Sequence, residues 1–491
     1  MADETSLERE RRAKVERWRI AGLEPYPWSF VGRVPTDRVR AASATMEPGG
    51  ERPDETMRVA GRVKAIRVHG RAAFVDLEDR TGSLQLLLRS DTLGDETYRR
   101  WLADLDPGDI LGAEGHPAVS KRGEPSLAVG QLTLLAKAIA PPPEKYHGLQ
   151  DVEERIRRRY LDLLASPETR ELFRARTLLL REMRRYLDAA GFLEVETPIL
   201  LPIASGAAAK PFVTRSSYLD AELQLRISLE LPLKRLLVGG MERVYELGRT
   251  FRNEDMDSTH SPEFTELEAY WAYADYHDMR RLIERLFEHL ADHVRGWLPN
   301  SPGAERGAKD FKPPFATVDF VDELERRSGI PDLLSKSREE LRALARAAGS
   351  TVPDDSPTGT FLDKLFEHYV EPHLEALTFV VDHPAATTPL AKRHRSKPGR
   401  VERFEMFYRQ TELGNAYTEL NDPDEQGRRF REQLVARGGD TYAYDADFVR
   451  ALAHGMPPAT GIGVGVDRLV MGLTGASSIK DVILFPLVRP R

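Results

Sequence analysis

Residues 243–276, RVYELGRTFRNEDMDSTHSPEFTELEAYWAYADY, constrain the fold more than any other stretch of this chain. Two β-type runs, at 244–247 and 264–270, flank a loop too polar and irregular for helix or strand. The second run alternates: Phe264, Glu266, Glu268 and Tyr270 fall on one face, Thr265, Leu267 and Ala269 on the other. Solvated strand faces often carry glutamate, so a charged surface hairpin is one reading. The incoming loop favours another, because it supplies Arg252, Glu254 and His260 beside Phe264. A guanidinium fits phosphate oxygens bidentately, and an aromatic ring offers a purine a flat platform. Together they read as a nucleotide site beside an acidic pocket.

A second group of such residues lies near the end of the chain. In NAYTEL, 415–420, alternation puts Asn415, Tyr417 and Glu419 on one strand face, with Glu405 and Glu412 on the preceding segments. Two carboxylates near a triphosphate are a normal way to hold Mg²⁺, which keeps waters and bridges phosphate oxygens. GIGVGVDRLVM, 461–471, begins with glycines that let backbones approach closely and then delivers Arg468 ahead of a helix. Its spacing is not G-x-G-x-x-G and no βαβ unit follows, which excludes a dinucleotide loop.

The remaining sequence suggests how these groups are carried. With 491 residues the chain has room for two or three domains. Zero cysteines exclude disulfides, cysteine-held zinc and thiol catalysis, and suit a cytoplasmic enzyme. Neither a signal-peptide core nor an apolar run of membrane-spanning length is present, so no membrane partner is expected. Net charge is −7, so any nucleic acid must be held by local basic patches.

Residues 7–23 read as a basic helix, either solvated or an arm touching a phosphate backbone, and 31–56 as a connection. Residues 57–140 have period two in five short runs with glycine-containing turns, which suits a small OB-type barrel. Arg67, Phe74 and Gln85 are the residue types such a barrel uses on a splayed base: cation, stacking ring, amide. Each alone is equally compatible with a structural role. Residues 141–165 read as a linker and basic helix whose arginines 155 and 157–159 face a tRNA or water. From Ser166-Pro167 an amphipathic helix runs to Gly191, followed by a predicted strand over 192–200. Residues 277–376 read as helical elements inserted between catalytic strands, interrupted by a polar stretch at 299–314.

Against these residues a resemblance becomes specific. F-R-N-E, a loop and H-S-P-E-F-T-x-L-E-x-Y resemble motif two of the class II aminoacyl-tRNA synthetases, and the details are similar to lysyl-tRNA synthetase. The GIGVGVDR segment resembles motif three. The helix, strand and Pro198 after residue 166 resemble motif one, which implies a homodimer. V-A-G-R, A-x-F-x-D-L-x-D-R-x-G and K-R-G-E resemble the anticodon domain of that family, which adds Glu124 to Arg67, Phe74 and Gln85 as readers of tRNA(Lys).

The implied fold is α+β: domain 1–56 leading in, an OB-fold at 57–140, a linker at 141–165, and an antiparallel catalytic sheet with helices at 166–491. By the same resemblance Glu230 takes the lysine α-amino group, in a loop with Gly206. Glu268, Tyr270 and Glu419 surround the side-chain ammonium, with Asn415 and Tyr417 nearby. Phe264 and Arg468 sandwich adenine, Arg252 contacts the α-phosphate, Glu254 and His260 assist ATP, and Glu405 and Glu412 hold Mg²⁺. Ser205, Leu229 and Pro125 depart from the family pattern.

An aspartate- or asparagine-type synthetase shares the architecture, but an aspartate pocket needs a cation where this one offers carboxylates. A paralogue that lysylates another acceptor and a non-catalytic tRNA-binding protein are two further readings. The carboxylates would repel one another unless a cation lies between them, and the substrate's ε-ammonium is expected to be that cation.

Overall fold

The computed structural model describes residues 4–143, 151–207, 209–437 and 444–489. The chain divides into two units, Met1–Leu149 and Gln150–Arg491.

In the first, alternation closes five strands into a barrel: β1 (Met57–His69), β2 (Ala72–Asp79), β3 (Gly82–Arg89), β4 (Ile110–Val119) and β5 (Pro125–Ala136), in the order β1-β2-β3-β5-β4. Val75, Leu77, Leu84, Leu86 and Leu88 point inward and are buried. Their neighbours make an outer face on which Arg67 lies opposite Phe74, and Gln85 lies opposite both Asp76 and Ser126. Pro125 opens β5, where a missing N–H is tolerated, so the departure there does not break the strand.

Three expectations for this unit are corrected. The basic helix, Ser6–Ile20, is not a free arm. Arg11 donates to Pro107 O and Ala138 O, and Lys14 and Arg17 pair with Asp106 and Asp104. The barrel's own acids and carbonyls use those cations. The stretch 31–56 is more than a connection, since it forms the helix Thr36–Ser43, anchored by Thr36 N–H to Asp79 (2.9 Å). Between β3 and β4 lies an unforeseen helix, Asp95–Asp104, whose Trp101 packs 4.7 Å from Trp18.

The second unit is built on an eight-stranded sheet. In chain order its regions supply β6 (Leu193–Glu194), β7 (Leu200–Leu201), β8 (Val213–Ser216), β9 (Ala221–Leu225), β10 (Arg243–Phe251), β11 (Glu263–Ala272), β12 (Ala316–Asp319), β13 (Thr378–Val381), β14 (Arg403–Tyr408), β15 (Thr411–Thr418) and β16 (Ala459–Gly465). The large sheet has the order β12-β13-β14-β15-β16-β11-β10-β6, and β7-β9-β8 form a small one. The large sheet is antiparallel except at its two edges, where β12–β13 and β10–β6 run parallel.

One face carries Leu267, Ala269, Ala416, Ile462 and Val464 into the main core. There they meet the helices Pro167–Ala189, Tyr276–Trp297 and Val466–Thr474. The opposite face carries the polar residues. Gly303 and Gly307 are needed for that packing: a Cβ on either would come within 2.2 or 2.3 Å of the carbonyls of Thr474 and Leu473.

The predicted strand at 192–200 is cut short. Thr197 gives both its N–H and its hydroxyl to the Glu246 carboxylate, and Pro198 has no N–H for a ladder, so pairing stops at Glu194. The insertion is also smaller than expected. Helix Tyr276–Trp297 belongs to the main core, the polar stretch at 299–314 contains the helix Pro302–Asp310, and β12 joins the catalytic sheet. Of the linker, residues 144–150 lie outside the described residues. Arg159 faces neither tRNA nor water: it is buried against Asp162 (2.8 Å) and the carbonyls of Lys480 and Leu484. Arg155 also pairs with Asp162. Among the described residues no helix is long and apolar enough to cross a membrane.

Candidate active site

Strand β11 is central, between β10 and β16, so its polar face is walled on both sides. β16 presents Gly461 and Gly463 beside it. A Cβ on Gly461 would lie 2.3 Å from the Tyr270 ring and 2.4 Å from Glu419 Oε1, so the glycine is what lets two pocket side chains lie against the backbone. The result is a cavity of about 370 Å³. It brings together Gly206, Glu230, Arg252, Glu254, His260, Phe264, Glu268, Tyr270, Glu412, Asn415, Tyr417 and Arg468. Gly206 has φ +97°, and a Cβ there would meet Ser228 Oγ at 3.1 Å.

The cavity is polarised along its length. At one end are the arginines. Arg252 lies with its guanidinium 5.0 Å from the centre of the Phe264 ring and its Nε–H on Ile227 O. Arg468 does not precede its helix but sits in the first turn of Val466–Thr474. It donates to Thr259 O and Glu412 O, and its Nη2 lies 2.8 Å from His260 Nε2. Phe264 therefore stacks with Arg252, while Arg468 is held by the loop. Asp257 orients His260 through Nδ1 at 2.8 Å. Burial opposes ionisation of Asp257, but the N–H groups of Thr259 and His260 and the His260 ring together outweigh it and hold its carboxyl low.

At the other end are the carboxylates. Glu268 Oε1 accepts from Ser228 Oγ (3.0 Å) and from the N–H of Leu229 (2.8 Å), and Tyr270 OH donates to its Oε2 (2.7 Å). Leu229 thus serves through its backbone N–H, a donor that a proline there would lack. Ser205 Oγ bonds Asp445 at 3.2 Å, and Arg235 holds the same carboxylate at 2.9 Å, so the other departure ties its loop down. Burial pushes the Glu268 carboxyl well above its ordinary range, and the nearby Glu266 and Glu230 charges push the same way. Glu419 lies just outside the cavity lining, next to Gly461, and is 1% exposed. Burial drives its carboxyl up to about 8, with Lys234 pulling down and Glu230 pushing up.

Lys234 was not among the residues foreseen, and it changes the electrostatics. It is fully buried, 2.5 Å from Glu230 Oε1 and in ion-pair contact with Glu419 Oε2. A cation from the chain itself therefore lies between Glu230 and Glu419, whereas the substrate ammonium was expected among Glu268, Tyr270 and Glu419. The sequence carried a signal, since Glu230 and Lys234 are four residues apart on a helix. Glu266 was also missed as a site residue although it shares the Glu268 face. It is half-buried in the cavity wall with its Oε2 buried and unbonded, and desolvation, opposed by Arg252, raises its carboxyl.

Glu405 stands apart. It lines an adjoining cleft with Glu412, Asp363 and Glu371, and Glu412 is common to both spaces. Arg403 pairs with Glu405 Oε1 and bonds Asn415 Oδ1 (2.9 Å). Burial raises the Glu405 carboxyl to about 8, opposed by Arg403 and reinforced by Glu412, Asp363 and Glu371. Oxygen donors crowded until their protons bind tightly are a fitting set for a hard dication, which would displace those protons.

Arg67, Phe74 and Gln85 share the outer face already described, and each is engaged with a neighbouring side chain. Arg67 is paired bidentately with Asp76 (2.6 and 2.7 Å), and Gln85 Oε1 accepts from Ser126 Oγ (3.1 Å). Phe74 has the His69 ring edge-on at 5.9 Å. Glu124 closes the β4–β5 turn, its N–H bonded to Ser120 Oγ.

The chain matches the family model of class II tRNA synthetases (D, K and N) over residues 151–489, and that of the OB-fold nucleic acid binding domain over 57–135. It is 48% identical over 489 residues to the lysine–tRNA ligase of Roseiflexus castenholzii, with 99% of each chain covered. It is 45% identical over 491 residues to that of Moorella thermoacetica, again with 99% of each covered. With that of Deinococcus radiodurans the identity is 46% over 489 residues, covering 96% of this chain and 91% of the relative.

Proposed function

Because the chain belongs to the class II tRNA synthetases of the D, K and N group, we propose a division of labour among its residues. The chain acts as a lysyl-tRNA synthetase, an ATP-dependent ligase that activates lysine and joins it to tRNA. The observation that carries the residue assignments is the polarity of the cavity: arginines and an aromatic ring at one end, buried carboxylates at the other.

Arg252 meets the α-phosphate, and Phe264 and Arg468 hold adenine between them once Phe264 gives up Arg252. His260, fixed by Asp257, and Glu254 line the triphosphate path. Glu405 and Glu412, in a cleft shared with Asp363 and Glu371, would hold Mg²⁺, which when bound would supply charge to neutralise the triphosphate. Glu230 takes the α-amino group, with Gly206 in the loop over it. Glu268, Tyr270 and Glu419 take the ε-ammonium, with Asn415 and Tyr417 completing the wall. The lysine carboxylate then attacks the α-phosphate in line and pyrophosphate leaves. A terminal ribose hydroxyl of the tRNA then attacks the adenylate's carbonyl, taking the lysyl group and releasing AMP without a covalent enzyme intermediate, so catalysis is positioning plus electrostatics.

Amino-acid-dependent ATP–pyrophosphate exchange across the twenty amino acids tests this: lysine alone should support it strongly. Exchange with aspartate or asparagine instead would overturn the assignment.

A pH dependence follows from the raised carboxyls of Glu268 and Glu419. A group protonated in the free pocket must lose its proton before it can hold an ammonium. Lysine binding therefore releases protons and strengthens as pH rises toward about 8, until the substrate's own amino groups begin to titrate. The KM for lysine should fall by up to about tenfold per pH unit for each proton released. A KM for lysine flat between pH 6 and 8 would contradict this.

For the barrel, Phe74→Ala should weaken tRNA charging and spare lysine activation. Loss of one stacked base costs roughly 1–3 kcal/mol. Equal damage to both steps, in a pyrophosphate-exchange and a charging assay, would assign Phe74 to folding. Arg67, Gln85 and Glu124 contribute polar contacts to the same RNA, and Arg67 exchanges Asp76 for a base.

Homodimer formation is supported by the apolar side chains left exposed around the motif-one strand: Leu193, Ile199, Leu200, Val213 and Leu219.

A further inference from the structure

We infer that Lys234 sets the charge of the amino-acid pocket, trimming it to match a substrate that carries two ammonium groups. This deepens the lysine-site reading above and rests on it. Glu230, Glu268 and Glu419 would present three negative charges if all were ionised, and the two ammoniums of lysine neutralise only two. In the low-dielectric interior a third, unpaired carboxylate would take up a proton instead. Lys234 supplies the missing charge. Its Nζ is fully buried, reaches both Glu230 Oε1 and Glu419 Oε2, and has the Tyr417 ring centre at 5.3 Å.

Tyr417 OH donates to the same Glu230 oxygen, and Tyr270 OH to Glu268. The other side of the pocket thus lowers the cost of charge through neutral donors, and Lys234 is the one buried ammonium that contacts these carboxylates among the described residues. The pull of its two acids outweighs its own burial and keeps it protonated. It is a positioning residue, acting on substrate through Glu230 and Glu419.

The test is Lys234→Met, with Lys234→Gln as a second variant that keeps hydrogen-bonding capacity but no charge. Lysine and ATP kinetics would be read by pyrophosphate exchange from pH 6 to 9. At pH 7 the KM for lysine should rise on the order of tenfold or more, with the KM for ATP little changed. The pH at which lysine affinity levels off should move upward. Adding Glu230→Gln to Lys234→Met should cost less than the two separate losses multiplied. A lysine pH profile parallel to wild type, or multiplicative losses, would reduce Lys234 to packing and overturn the inference. Failure of the wild type to activate lysine would instead overturn the reading on which it rests.

A different observation points to a transition-metal site between the helices Pro167–Ala189 and Tyr276–Trp297. Glu182, His289 and His293 each offer a donor atom within 4.8 Å of the other two. Arg185 takes Glu182 Oε1 at 3.0 Å, and Arg181 lies 3.9 Å from the same oxygen, leaving Oε2 facing His289 Nε2 at 3.5 Å. That Nε2 is buried without a hydrogen bond. His293 turns Nδ1 to His289 O at 2.8 Å, which leaves its Nε2 as a donor to metal, the outer hydrogen bond usual for a ligating histidine.

Two imidazoles and one carboxylate suit Zn²⁺ or Co²⁺ with open positions. Equilibrium dialysis of the full chain against Zn²⁺, and the visible absorption of Co²⁺, would compare wild type with His289→Ala and His293→Ala. One equivalent fewer in both variants, with circular dichroism unchanged, supports the site. Equal uptake by all three proteins overturns it.

Discussion

Replacing Arg252 by alanine should lower the rate of lysyl-adenylate formation by at least ~10²–10³-fold while the chain stays folded. Among the described residues its side chain makes one hydrogen bond, to Ile227 O, and one ring contact, to Phe264, besides its charge interaction with Glu266. Neither is a core interaction. On the proposed assignment, what the mutation removes is charge at the position where negative charge grows as the lysine carboxylate attacks the α-phosphate. That stabilisation acts on the transition state more than on bound ATP, so kcat should carry the loss. Single-turnover adenylate formation, with circular dichroism as the fold control, measures it. Near-normal rates in the folded variant would remove Arg252 from the chemistry.

The second large effect is specificity. Norleucine matches lysine in shape but lacks the ε-ammonium, and would leave Glu268 and Glu419 buried beside a methyl group. Sites built around a polar group can reject its absence by about 10⁴-fold or more. Activation of norleucine, measured as kcat/KM in pyrophosphate exchange, should be lower than that of lysine by about that factor. Glu268→Gln and Glu419→Gln should each raise the KM for lysine sharply, with the KM for ATP little changed. The two need not be equal. Glu268 keeps three donors of its own, from Ser228, Leu229 and Tyr270, whereas Glu419 depends on Lys234. If both variants kept wild-type lysine kinetics, or norleucine were activated comparably, the lysine pocket would be wrongly placed.

How much of this could be read from the sequence depends on the range over which each feature is decided. The face shared by Phe264, Glu268 and Tyr270 was legible because strand alternation is local, and the structure keeps it without a slip from Glu263 to Ala272. The barrel was legible for the same reason. The predicted strand at 192–200 was not, because its end is decided by Glu246, a residue 49 positions from Thr197 that captures its N–H. The cations of the first helix looked free because their partners, Asp104 and Asp106, come from the far side of the barrel sequence. Lys234 was hidden differently. One of its two acids, Glu230, is a helical neighbour and could have been found, but Glu419 arrives from β15's end, and only the pair of contacts gives the lysine its role.

The alternation of β11 has a further consequence, for how this protein fails. The same ten residues supply the middle of the sheet with one set of side chains and the floor of the cavity with the other. Loss of pairing along β11 would therefore remove the floor of the cavity and the middle of the sheet together. A shift of one position along that strand would exchange glutamates for leucine and alanine on the cavity face.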